Sequence, residues 1–279
     1  MKSELDTSTL SYRDRMAIEE HERLSPRLLY EIIRQDGIEE LTRPTKALIF
    51  SGITAGLVVT FSFVFKAIFT AYAPNQPWAP LITNMGYTVG FLLVILGRMQ
   101  LFTENTITTV VPLFNPLTWK KIIAVARLWS IVFASNLVGT ALAALFLQND
   151  QAFNPEFVEA MHNIALHVAH QDAISNILKG IPAGILIASV VWMMPSVNSG
   201  KFIMIFFFIY LIALGDFAHV VVGSAEIAYL VFQGQADLYD YFITFLLPTA
   251  FGNIVGGTVV FTMMIYGQVN QEIEIGSRK

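Results

Sequence analysis

Apolar residues run along this chain in six long blocks, separated by short stretches where charged and turn-forming residues gather. A helix needs about 20 mostly apolar residues to cross the core of a bilayer. The blocks predict spans over residues 47–73, 81–114, 122–147, 174–194, 202–232 and 242–266. Two of them are interrupted. The second carries the polar run Arg98-Met99-Gln100-Leu101-Phe102-Thr103-Glu104-Asn105, and the fifth carries Gly215-Asp216-Phe217-Ala218-His219 at its middle. The expected fold is an all-α membrane protein with six transmembrane helices, of which spans two and five are broken. A transmembrane domain over 46–267 would be flanked by a polar N-terminal region, 1–45, and a tail, 268–279.

Within the N-terminal region, Ser25-Pro26 precedes Leu28, Leu29, Ile32 and Ile33, and Gly37 follows. Ser suits the N-cap, Pro the first helical position and Gly the C-terminal stop, so a short amphipathic helix is expected. It fits either along a membrane surface or as a packing helix under the bundle. No short apolar stretch precedes a small-residue cleavage site, so no signal peptide is expected.

Lys and Arg alternate with the spans. Arg27, Arg34, Arg43 and Lys46 precede the first; Lys120, Lys121 and Arg127 follow the second; Lys201 follows the fourth; Arg278 and Lys279 end the chain. The stretches 74–80, 148–173 and 233–241 hold no Lys or Arg and carry acids such as Asp150, Glu156, Asp237 and Asp240. Basic residues stay on the cytoplasmic side, so both termini are expected there.

Composition narrows the class. Only 14% of the 279 residues are charged and 54% are hydrophobic, against about 25% charged in soluble domains. The net charge of −4 offers no basic patch for nucleic acid. Cysteine is absent, which removes disulfides, thiolate nucleophiles and Cys-held metals. His162, His167 and His170 lie in one loop without a carboxylate pattern beside them, so no metal is expected. No catalytic constellation, phosphate loop or cofactor motif is present, and the chain is not expected to be an enzyme.

The two halves repeat. Gly52-Ile53-Thr54-Ala55-Gly56 in span one matches Gly180-Ile181-Pro182-Ala183-Gly184 in span four. Ser135-Asn136-Leu137-Val138-Gly139-Thr140 in span three matches Gly252-Asn253-Ile254-Val255-Gly256-Gly257-Thr258 in span six. The broken span lies between the matched pair each time. Three spans per half is an odd number, so the second half enters from the opposite side: an inverted repeat, with a site expected near the midplane between the broken helices.

Irregular backbone at membrane depth must be buried in protein or line a wet cavity. Each break starts a half-helix whose N-terminus offers N–H groups and partial positive charge, suited to an anion or a polar solute. Thr103 and Asn105 suit the first cap. His219 reads either as a donor in the lumen, able to hand over a proton near neutral pH, or as a core histidine satisfied by a backbone carbonyl. Asn136 and Asn253 can each hold the broken segment of their own half. In this reading Asn253 lies near the lumen, while Asn136 stays open between lumen and a helix contact.

At these residues the chain resembles the formate/nitrite transporter family, over roughly residues 25–266. The pieces that carry the resemblance are Ser25-Pro26, Ile53-Thr54-Ala55-Gly56, Leu101-Phe102-Thr103, Ser135-Asn136-Leu137-Val138-Gly139, Phe217-Ala218-His219 and Gly252-Asn253-Ile254-Val255-Gly256-Gly257. The resemblance implies an aquaporin-like fold, a pore in each protomer of a homopentamer in the inner membrane, and passage of a small monovalent anion or its conjugate acid. It implies that Thr103 and His219 flank the permeant with Asn253 nearby. Hydrophobic constrictions would fall near Tyr87, Phe91, Leu101 and Ile212, with Phe102 beside them.

The chain also departs from the family pattern. Span five usually reads Phe-Glu-His-Ser/Cys-x-x-Asn, whereas Phe217-Ala218-His219-Val220-Val221-Val222-Gly223 stands here. Asp216 replaces a usual Gly, Gln100 a usual acid and Gly184 a usual Asn. Arg98, Glu104, Lys179 and Glu226 add charge around the breaks, read either as a pathway or as a structural network with Asp216. The first expectation is a channel or transporter for weak-acid anions, proton-linked through the central histidine. Its rivals are a facilitator of a small neutral polar solute and a non-conducting scaffold or sensor.

Overall fold

A computed structural model describes residues 24–114 and 116–276; the basic pair Arg278 and Lys279, used above for orientation, lies outside them. The described residues are helical and contain no strand. Five helices are long and apolar enough to cross a membrane: Thr45–Tyr72, Ala79–Leu96, Trp119–Phe146, Ala173–Ser196 and Asp240–Gln271. The remaining crossing is made in two pieces, Lys201–Leu214 and Val220–Phe232, which are the halves of the predicted fifth span. The second span continues past its break as Phe102–Thr108 and a 3-10 turn, Val111–Phe114.

Span one packs chiefly on span three, and span four on span six. Glycine makes these approaches close. A Cβ at Gly56 would overlap the carbonyl oxygen of Asn136, and one at Gly184 would overlap that of Asn253. Span one is interrupted at Thr60, whose Oγ1 donates to the Gly56 carbonyl at 2.8 Å, between helices Thr45–Val59 and Phe61–Tyr72. Span six widens into π-helix over Asp240–Leu246 and Val255–Thr262.

The two breaks share one backbone course. The first half-helices end at Leu96 and Leu214, followed by Gly97 and Gly215. Arg98 and Asp216 then turn left-handed, with φ of 51° and 52°. The Met99 N–H returns to the Val94 carbonyl and the Phe217 N–H to that of Ile212, each at 3.0 Å, which closes the helix ends as Schellman motifs do. The chain then runs extended through Leu101 and His219 into the second half-helices.

The N-terminal helix spans Pro26–Thr42, with Ser25 as N-cap and Pro26 first, as expected. Gly37 is not its stop. It lies buried inside the helix, where a Cβ would strike the Thr108 carbonyl and the Pro112 ring, so its role is close packing on the end of span two. Tyr30 donates to the Val111 carbonyl at 3.2 Å and its ring lies 6.1 Å from that of Tyr266. The stretch 148–173, read only as a loop, contains a helix over Pro155–Ala169 that packs on spans one and five.

Because backbone carbonyls fill the space beside Gly56 and Gly184, Gly56→Val and Gly184→Val should each destabilise the protein by about 1–3 kcal/mol. A fall in the thermal midpoint of detergent-solubilised protein would register it; a wild-type midpoint in both would refute the close-packing role.

Candidate functional site

The site is built from the two breaks and the asparagines that hold them. Asn136 is fully buried. Its Oδ1 accepts the Phe102 N–H at 2.9 Å, while its Nδ2 donates to the carbonyls of Gly52 and Gln100 at 2.9 and 2.8 Å. Asn253, equally buried, repeats this: Oδ1 accepts the Val220 N–H at 3.0 Å, and Nδ2 donates to Gly180 and Ala218, both at 2.9 Å. Each side chain ties an outer helix, the strand-like segment and the start of a half-helix. A carboxamide suits this because it offers an acceptor and two donors in one plane. The two asparagines therefore do the same job, including Asn136, whose placement the sequence had left open.

The bracket also fixes the register of the repeat. Counted back from Asn136 and Asn253, Thr103 and His219 fall at like spacings of 33 and 34 residues, which would pair them. In the structure the residue before each half-helix is Leu101 in one half and His219 in the other, both extended, at φ/ψ of −106°/126° and −112°/119°. Thr103 lies inside its half-helix and is not the cap, and Asn105 is also internal; Leu101 makes no side-chain cap bond. Thr103 instead meets His219 across the interface, Oγ1 to Nε2 at 2.8 Å.

His219 caps its own half-helix, a role missed from sequence: Nδ1 accepts the Val222 N–H at 3.4 Å. An accepting Nδ1 carries no proton, so the ring proton of neutral His219 sits on Nε2 and is donated to Thr103 Oγ1. The ring is 2% exposed and stands edge-on to Phe91, centroids 4.8 Å apart, and Phe91 in turn lies 5.6 Å from Tyr87.

Two cavities approach from opposite faces. One of about 270 Å³ opens beside the helix Pro155–Ala169 and reaches His219; Tyr87, Lys179, Asp216 and Glu226 line it. The other, about 420 Å³, opens beside the N-terminal helix and reaches Leu101, with Arg98 and Glu104 in its wall. Phe91, Thr103 and Ile212 lie in neither wall and are buried. The Phe102 ring points to span three, 4.5 Å from Phe133 and 5.6 Å from Trp129.

The charged residues do not form one network. Asp216 is bound by Lys179 Nζ at 2.6 Å and His167 Nε2 at 3.0 Å, and Lys179 also donates to Gln171 at 2.9 Å. Glu226 lines that same cavity, while Arg98 and Glu104 line the other, because the pseudo-symmetric breaks turn their left-handed residues to opposite faces. Glu104 Oε1 is buried with no hydrogen-bond partner among the described residues. On the N-terminal side Gln100 Nε2 donates to Glu40 at 2.7 Å, tying that helix to the first break. Sequence reading also passed over Lys66, a basic residue within apolar span one, which lines the His219 cavity; its position at membrane depth was the available signal.

Residues 27–267 match the family model described as formate/nitrite transporter. The inner membrane protein YfdC of Escherichia coli K12 is 40% identical over 272 residues, covering 98% of this chain and 84% of that one. The formate channel FocA of Haemophilus influenzae is 28% identical over 236 residues, 75% of this chain and 82% of its own. Among solved structures, a pentameric formate channel with formate bound superposes with a TM-score of 0.68 at 20% identity, covering 81% of this chain and 98% of that one.

Replacing either asparagine by alanine orphans one N–H and two carbonyls in the membrane interior, at about 1–3 kcal/mol for each unsatisfied group. Asn136→Ala and Asn253→Ala should therefore depress the thermal midpoint strongly and to a similar extent. A large effect from one and none from the other would break the equivalence.

Proposed function

This chain belongs to the formate/nitrite transporter family, and on that premise we propose that it is a transmembrane channel or transporter for small monovalent anions of weak acids, proton-linked through His219. The reading includes a homopentamer in the inner membrane with both termini cytoplasmic, so that the cavity beside the N-terminal helix faces inward. The Thr103–His219 contact between the two half-helix starts is the observation that carries it.

The chemistry follows from that contact. A bare anion is costly between Phe91 and Ile212, buried residues that line neither cavity. The neutral acid crosses at far lower cost. His219 Nε2–H donates to Thr103 in the resting arrangement and to the permeant when it enters, so the donor is never left orphaned. The half-helix N-termini add partial positive charge on either side. Asn253 holds the second of these in place.

A second reading has its own support. The cavity that reaches His219 is lined by Lys66 and Lys179 but also by Asp216 and Glu226, so its lysines and carboxylates balance. That suits a facilitator for a small neutral polar solute. Osmotic swelling of vesicles with uncharged solutes, set against uptake driven by membrane potential, separates the two.

In proteoliposomes, uptake of formate, nitrite, acetate or lactate should rise as the outside is acidified, and His219→Phe should lower it by about tenfold or more by removing the central donor. Wild-type uptake and pH response in the variant would sink the role given to His219.

A further inference from the structure

We propose that Lys66 and Glu226 form a binding and protonation site for a small carboxylate, ahead of His219 in the same cavity. The proposal rests on the weak-acid reading above and adds to it where the proton comes from.

The cavity that reaches His219 holds two lysines and two carboxylates, and only half of that charge is committed. Lys179 and Asp216 are bound to each other, with His167 and Gln171 as further partners. Lys66 and Glu226 make no ion pair with each other or with any other described residue. Lys66 comes from span one, its Nζ 5.8 Å from the centre of the Tyr87 ring. Glu226 comes from the second half of span five, is 5% exposed and still lines the cavity. A cation and an acid that come from different spans into one cavity, with no ion pair between them, leave both free to meet a guest carboxylate.

Position on the helix supports the order of events. Glu226 follows His219 by seven residues, two turns, which puts it on the same face about 10 Å away. A carboxylate entering this cavity meets Glu226 before it reaches His219. His219 receives the guest as the neutral acid, and the proton is delivered one step earlier. The single ring proton of His219 is on Nε2, held by Thr103, and taking a second at Nδ1 would break the bond to the Val222 N–H. Glu226 has no such ties.

The transfer balances. The O–H bond of the Glu226 carboxylic acid breaks, an O–H bond forms on the guest carboxylate, and Glu226 is left as carboxylate until a hydronium-borne proton from the acidic side restores its O–H bond. Lys66 faces one negative charge before and after, first on the guest and then on Glu226, so the site keeps its net charge through the step. The other titratable groups around Glu226 are accounted for: Tyr87 lies under Lys66, Asp216, Lys179 and His167 pair at the mouth, and Tyr241 of span six bonds Ser224.

Formate-driven acidification of proteoliposome lumens, measured across external pH, tests the site. Glu226→Gln should lose about tenfold in rate at acid pH and flatten the profile, with Glu226→Asp restoring the pH response; Lys66→Met should raise the half-saturating formate concentration by about tenfold with the maximal rate kept. A wild-type profile in Glu226→Gln, or Glu226→Asp as impaired as Glu226→Gln, overturns the proposal while leaving the weak-acid pathway standing. Should gel filtration show Glu226→Gln misfolded, Lys66→Met decides alone: unchanged half-saturation overturns the site. Absence of pH-dependent formate uptake in the wild type overturns the weak-acid reading and the site with it.

Discussion

The structure depends on satisfying the backbone where two helices stop and restart at membrane depth. Each break exposes N–H and C=O groups that neither water nor a helix ladder can satisfy, and each such group costs several kcal/mol in hydrocarbon. One buried asparagine per half answers this, with three hydrogen bonds that join an outer span, the extended segment and the next half-helix. Everything chemical follows from that placement. With the extended segments fixed, Leu101 and His219 take equivalent positions, and Thr103 reaches His219 across the interface.

The scaffold is two-fold, but its occupants are not. Leucine at one cap makes no side-chain bond, while histidine at the other caps its helix and bonds Thr103. The left-handed corners are occupied by Arg98 in one half and by Asp216 in the other. One cavity therefore has an ion-paired mouth, and the other is crossed by a link from Gln100 to Glu40 of the N-terminal helix. Two cavities beside breaks of the same backbone shape thus present different chemistry on either side of the same central pair.

Much of this was legible in the residues. Hydropathy placed the crossings, and the Gly and Asn motifs of the outer spans announced the repeat because close helix approach leaves little choice but glycine. The register of the breaks was less legible. Spacing counted from Asn136 and Asn253 fitted Thr103 opposite His219, and only the backbone shows that the partner of His219 is Leu101. Gly37 misled because glycine marks a helix stop and a tight contact equally well in sequence. Lys66 and the helix Pro155–Ala169 were passed over as a lone charge at membrane depth and an amphipathic stretch in a loop, and the cavity shows what the two share.

The seating of the N-terminal helix bears on how the chain assembles. Its Gly37 and Tyr30 rest on the end of span two, and Tyr30 also meets Tyr266 from span six. Only the span-two part of that seat exists before the last span is in place. The helix that precedes span one therefore completes its seat only when span six, the last crossing in chain order, has joined the bundle. Residues at either end of the transmembrane domain are in this way bound to a single late step of folding.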